Sequence, residues 1–120
     1  MRTLRVGIAS YEQMKARTLA IARGQYKPGP HEPKVWSTSM ESIARVLSPK
    51  NRDLLTAIRQ DPPQSLTELA ERTGRKKPNL SRTLKTMHQY GLIQLRRVEQ
   101  GTLAAKVPYK RVEIVLELSG

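Results

Sequence analysis

Cysteine and phenylalanine are both absent from these 120 residues, tryptophan occurs once, and aspartate and glutamate total 10 against 22 lysines and arginines. Without cysteine there can be no disulfides, thiolate metal sites or cysteine nucleophiles, which fits a reducing compartment and leaves stability to packing. A core without phenylalanine has to be built mainly from Leu, Ile, Val, Ala and Met, and aromatic stacking on single-stranded nucleic acid is disfavoured. No apolar run approaches the length that spans a bilayer. The N-terminal MRTLRVGIASYEQ also lacks the continuous apolar stretch of a signal peptide, so a cytoplasmic protein with no membrane association is expected.

Catalytic patterns are missing as well. His31 sits in a proline-rich stretch and His88 near the edge of an apolar helical face, with neither paired carboxylates nor metal-ligand spacing nearby. Both histidines are expected to be structural or surface residues, and the reading is of a non-enzyme with no cofactor and no metal.

What is present is positive charge, a net +12 in a chain long enough for one domain with one hydrophobic core. The cations are spread out: 7 against 2 acids in residues 1 to 36, and 6 against 2 in residues 62 to 91. This balance points to nucleic acid or an acidic partner and does not by itself separate the two.

Along the chain, TLRVGI alternates, with Leu4, Val6 and Ile8 on one face, as a half-buried strand does. SYEQMKARTLAIARG predicts a helix opened by a capping box of Ser10 and Gln13 and ended at Gly24, with Tyr11, Met14, Thr18, Ile21 and Ala22 as its apolar stripe. GQYKPGPHEPKVW, with three prolines and two glycines, predicts an extended connector leading to a short strand at Val35 and Trp36. Thr38 with Glu41 opens a short helix bearing Met40, Ile43, Ala44 and Leu47. Ser48 with Pro49 opens another bearing Leu54, Leu55 and Ile58. Ser65 with Glu68 forms a further capping box before Leu66, Leu69 and Ala70, and Gly74 ends that helix.

Then comes GRKKPNLSRTLKTMHQYGLI, where Arg75, Lys76 and Lys77 crowd a helix start at Pro78. Three cations there oppose the helix dipole, and none supplies the side-chain acceptor of a Ser or Asp cap. An anionic partner resolves the conflict, and the phosphates of DNA are such a partner. At about 100° per residue, Leu80, Leu84 and Met87 share the core face, Arg82, Lys85 and Gln89 lie opposite, and Asn79, Ser81 and Thr86 flank them. These are groups that read bases: Arg bridges guanine O6 and N7, Asn pairs with adenine, and hydroxyls take base or phosphate. LIQLRRV and TLAAKVP follow as two strands around a Glu99-Gln100-Gly101 turn, with Arg96 and Arg97 on the resulting wing, and RVEIVLEL alternates as a last strand.

The order helix, helix, turn, helix, strand, strand predicts an α+β, mainly α fold: a winged helix-turn-helix with an N-terminal strand-helix arm and a C-terminal strand. Residues 1–36 are the arm and connector, for dimerisation or partner binding; 37–107 are the DNA-binding unit; 108–120 hold the last strand. Its second helix is expected in the major groove of double-stranded DNA, with Arg75, Lys76, Lys77, Asn79, Ser81, Arg82, Lys85, Thr86, Gln89, Arg96 and Arg97 as the contact set.

The run LTELAERTGRKKPNLSRTLKTMHQYGLI resembles the helix-turn-helix of MarR-like and ArsR-like regulators, in which Leu-Ser-Arg-x-Leu precedes Gly-Leu-Ile and the wing. Over nearly its full length, including SYEQMKARTLAIARG, YKPGPHEPKVW and VPYKRVEI, the chain is similar to a group of small prokaryotic antitoxin-type regulators encoded beside a toxin gene. That resemblance implies a homodimer that binds its own operator as a repressor or antitoxin, with a cognate toxin as a further partner.

Two questions stay open in the residues. The terminal strands carry Arg5 against Glu113 and Glu117, which suits antiparallel pairing within one subunit or between two. The basic first 36 residues could instead clasp an acidic protein, making the chain an interaction module with DNA binding secondary; winged helices serve both ends. Duplex RNA is the lesser fit, because its deep, narrow major groove does not admit a helix.

Overall fold

Thr3–Ile8 is a strand, β1, and its alternation does what the period implies: Leu4, Val6 and Ile8 are buried together. The structure is a computed structural model that describes residues 2–97 and 103–118. The chain continues through α1 (Tyr11–Ala22), β2 (Val35–Ser37), α2 (Met40–Val46), α3 (Pro49–Gln60), α4 (Leu66–Thr73) and α5 (Lys77–Gln89), then β3 (Gln94–Arg97), β4 (Leu103–Lys106) and β5 (Arg111–Leu116). Among the described residues this is a mainly helical α+β fold, a helix-turn-helix followed by a two-stranded wing. The expected turn at Glu99, Gln100 and Gly101 lies outside the described residues.

Short-range capping sets most helix starts. The Ser10 hydroxyl accepts from the Gln13 amide at 3.1 Å, and Gln13 Oε1 accepts in return from the Ser10 amide at 2.8 Å. Ser48 caps α3 with Pro49 in its first turn. Two expected caps differ in detail. α2 is capped by Ser39, whose hydroxyl accepts from the Ser42 amide at 3.0 Å; Thr38 precedes the cap and stays exposed. At α4 the Ser65 hydroxyl accepts from the Glu68 amide, but the Glu68 carboxylate reaches back to the Gln64 amide, one residue earlier than a capping box.

The terminal strands correct the sequence reading. β1 and β5 pair in parallel, not antiparallel, and do so within one chain, from Thr3 opposite Arg111 to Ile8 opposite Leu116. Parallel neighbours need a long crossover, and here the entire helix-turn-helix unit supplies it. β2 pairs in parallel on the other side of β1, giving the order β2-β1-β5. The charge part of the expectation survives in part: Arg5 Nη2 lies 3.3 Å from Glu113 Oε1.

Leu4, Val6 and Ile8 project into a core with Ile43, Val46, Leu54, Ile58, Leu69, Leu80, Leu84, Met87, Leu92 and Ile93. Each such aliphatic side chain, removed from water, contributes about 1.5–3 kcal/mol. The N-terminal strand and the helix-turn-helix therefore share one core.

The opposite face of the sheet is built differently. A Cβ on Gly7 would sit 2.4 Å from Trp36 Cε3, so only glycine lets the indole lie across β1. Arg17 of α1 stacks on that indole at 5.0 Å and on Tyr26 at 5.9 Å, and its guanidinium meets Glu32 Oε2 at 3.2 Å. The stripe expected on α1 is not buried: Tyr11, Thr18 and Ala22 are exposed, and the half-buried side is Gln13, Met14, Arg17, Ala20 and Ile21. A cation seated on an aromatic ring orients this helix, and apolar periodicity does not register such a contact.

Candidate nucleic-acid interface

Gly74 makes the corner between α4 and α5. Its φ of 73° is left-handed, where a side chain is strained, and its amide donates to the Ala70 carbonyl to close α4. α5 then begins one residue earlier than expected, with Lys76 as its cap and Pro78 in its first turn. No side chain accepts from the first-turn amides, and no acid lies there. The N-terminus of α5 thus keeps its positive end uncompensated by the protein, beside the exposed side chains of Lys76 and Lys77.

The buried side of α5 is Leu80, Leu84 and Met87, as the period implies. Asn79, Arg82, Lys85 and Gln89 are exposed on the other side, with Ser81 and Thr86 half-buried at its margins. Arg82 Nη2 donates to Asn79 Oδ1, coupling two of the expected base-reading groups one turn apart. Thr86 spends its hydroxyl proton on the Arg82 carbonyl at 3.1 Å, which leaves its oxygen as an acceptor.

Arg75 stands apart from the other cations. It is half-buried, with Nη1 donating to Asn51 Oδ1 at 3.1 Å and Nη2 to the Lys50 carbonyl at 3.0 Å, while Asn51 Nδ2 donates to the Val46 carbonyl at 3.0 Å. Arg75 therefore ties the turn before α5 to the start of α3. Asn51 was not singled out by sequence reasoning, because its partner is 24 residues away and an Asn in the third position of a helix carries no local signal.

On the wing, Gln94 pairs with Lys106 and Arg96 with Ala104 in an antiparallel ladder. Arg96 and Arg97 are exposed and, as neighbours in a strand, point to opposite faces. Lys106 is a third exposed cation that sequence reasoning passed over; its pairing opposite Gln94 marks it. Arg72 joins α4 to the end of α3, 2.7 Å from Glu68 Oε1 and 3.5 Å from Oδ2 of Asp61, the residue that closes α3. The hydrogen bond from the Gln64 amide holds the Glu68 carboxyl below its ordinary range; desolvation opposes it, and Arg72 adds to the lowering.

A family model described as HVO_A0114 matches residues 46–114, from the end of α2 into β5 and more than half of the chain. The chain belongs to the HVO_A0114 family. No curated protein matches it. Among solved structures, this HVO_A0114-family chain is similar to NolR from Sinorhizobium fredii, at 16% identity and a TM-score of 0.51 over 85% of this chain and 81% of that one. It also matches a predicted DNA-binding transcriptional regulator from E. coli, at 20% identity and a TM-score of 0.49 over 84% of this chain and 86% of that one. The likeness to NolR is one of fold.

Among the described residues no group of three or more His, Cys, Asp or Glu side chains is placed to hold a metal ion, and no helix is long and apolar enough to cross a membrane. His31 is exposed, and His88 Nδ1 lies 3.2 Å from the Ile93 carbonyl oxygen, a contact that pins the end of α5 to the start of the wing.

Proposed function

We propose that this protein is a dimeric, sequence-specific regulator of transcription that binds double-stranded DNA, acting as a repressor or as the autoregulating antitoxin of a toxin-antitoxin pair. The observation that carries the reading is α5 itself: an uncapped, cation-flanked N-terminus continuous with an exposed face of Asn79, Arg82, Lys85 and Gln89, held rigidly by a buried opposite face. A major groove is wide enough to admit such a helix.

Arg82, Asn79 and Ser81 are assigned to the bases. With one lone pair of Asn79 Oδ1 taken by Arg82, the pair offers mainly donors, which suits guanine O6 and N7 better than the mixed edge of adenine. Lys76, Lys77, Lys85, Thr86 and Gln89 are assigned to phosphates and groove edges, and Arg96 and Arg97 to backbone or minor groove. Arg75 acts by fixing the turn that aims α5, since two of its nitrogens are held by α3. The dipole penalty at α5, about 0.3–1 kcal/mol per exposed cation, is outweighed when phosphates replace solvent and counterions are released.

The test is a fluorescence-anisotropy titration against the DNA upstream of the gene and against shuffled duplex, at several salt concentrations. A steep salt slope with a large preference for the upstream duplex is expected. Equal, weak binding to both would refute a sequence-specific regulator and turn attention to the basic first 36 residues as a protein-binding surface.

A further inference from the structure

β5 lies at the edge of the sheet, and its outer row of backbone N–H and C=O groups has no strand partner among the described residues. Proteins usually blunt such edges with prolines or with charges that point inward. β5 does neither. Its inward file of Val112, Ile114 and Leu116 is paired in register with Leu4, Val6 and Ile8 of β1. The β1 residues are 5%, 1% and 6% exposed, whereas Ile114 is 42% and Leu116 55% exposed. The layer that covers β1 stops short of β5. A groove of about 670 Å³ remains beside the edge, lined by Leu47, Leu55, Tyr109, Val112 and Ile114.

The charges on β5 identify what fits there. Arg111, its first residue, and Glu117, one residue past its end, are exposed, neither has an ion-pair partner among the described residues, and they are equally spaced, three residues on either side of Ile114. We propose that the β5 edge is the surface through which two copies of this chain associate, antiparallel about a two-fold axis at Ile114. The three-stranded sheets then join into one of six strands.

In that register Ile114 faces its own counterpart and Val112 faces Leu116 of the second copy. Arg111 faces Glu117 of the second copy, twice over. Both core layers lie on the same side of the joined sheet, so the apolar file of each strand enters the groove of the other copy. Neighbouring registers fail: a two-fold at Glu113 opposes glutamates, one at Val115 opposes Glu113 to Glu117, and one at Val112 sets Leu116 against Pro108, which has no N–H to pair, and Glu117 against Val107. This inference rests on the dimeric reading above and names its interface.

The absence of cysteine makes the register directly testable. Directly opposed residues of antiparallel strands have Cα atoms about 4.5–5.5 Å apart, within the disulfide range. Ile114→Cys should form an intermolecular disulfide on mild oxidation far faster than Lys15→Cys on exposed α1. Val112→Cys and Leu116→Cys should each crosslink poorly alone and readily when mixed.

Independently, Arg111→Glu or Glu117→Arg should raise the dimer dissociation constant in sedimentation equilibrium by about tenfold, and the double exchange should restore it to within about threefold. A wild-type chain that stays monomeric at all concentrations overturns the proposal. So does a dimer in which Ile114→Cys crosslinks no faster than Lys15→Cys, or in which the single charge changes have no effect. Anisotropy on wild type separates the two readings: a dimer that crosslinks through Ile114→Cys yet prefers no duplex supports this interface and refutes the regulator.

Discussion

The two faces of the β1 sheet are held by different physics. On the inner face, Leu4, Val6 and Ile8 join the helix-turn-helix core, where aliphatic side chains from α2, α3, α4 and α5 exclude nearly all water. On the outer face, one glycine, one indole and one guanidinium make the contact, and α1 contributes no fully buried residue. The inner face is strong because it is dry and redundant. The outer face depends on a few specific atoms, so it is easy to damage locally and can fail without unfolding the rest.

The largest effect should come from the inner side. Leu84→Ala leaves a cavity against Leu80 and Met87 and should lower stability by about 2–5 kcal/mol in chemical denaturation, whereas Ile114→Ala, at the open edge, should change the monomer's stability by less than about 0.5 kcal/mol. Comparable losses would erase the distinction between the closed core and the open edge of the inner face.

Next in size is Gly7→Ala. The added Cβ must displace the Trp36 ring, at an expected loss of about 1–3 kcal/mol. Tryptophan fluorescence should shift and α1 should exchange its amides faster, while α5 keeps its protection.

At α5 the contrast is functional. Arg82→Ala should cost about 1–3 kcal/mol at cognate duplex and relax specificity, with stability unchanged. Lys76→Ala should weaken all duplexes alike and lower the salt slope by about one. An unchanged cognate-to-random ratio in the Arg82 variant would remove its assignment to the bases.

The smallest effect concerns pH. The Glu68 carboxyl is held below its ordinary range in the folded chain, so its contribution is present above the unfolded carboxylate value, about 4.3, and is lost as pH falls through the lower folded value. Melting curves between pH 5 and pH 3 should fall slightly more steeply for wild type than for Glu68→Gln.

These contrasts follow how much of each region was readable in advance. α5 was legible, down to Leu80, Leu84 and Met87 inside and Arg82, Lys85 and Gln89 outside, because a 3.6-residue period reports which side of a helix is buried. The Ser10 capping box was legible because both partners lie within one turn. α1's contact side was not, since the group that orients it is an arginine, which a count of apolar positions assigns to solvent. Ser39 displaced Thr38 as a cap, since adjacent hydroxyl residues give the same local signal and the backbone places the Ser39 hydroxyl on the Ser42 amide.

By itself, then, the sequence determined the elements, their order, most helix ends and the chemistry displayed on α5, because those follow from interactions spanning three or four residues. Tertiary structure decided the rest. β1 and β5 run parallel because the helix-turn-helix forms their crossover; Arg75 became a brace when folding brought Asn51 beside it; and β5 has an open edge because no strand among the described residues pairs beyond it. Each of these depends on residues far apart in the chain, whose meeting is set by how whole elements pack and not by any local period.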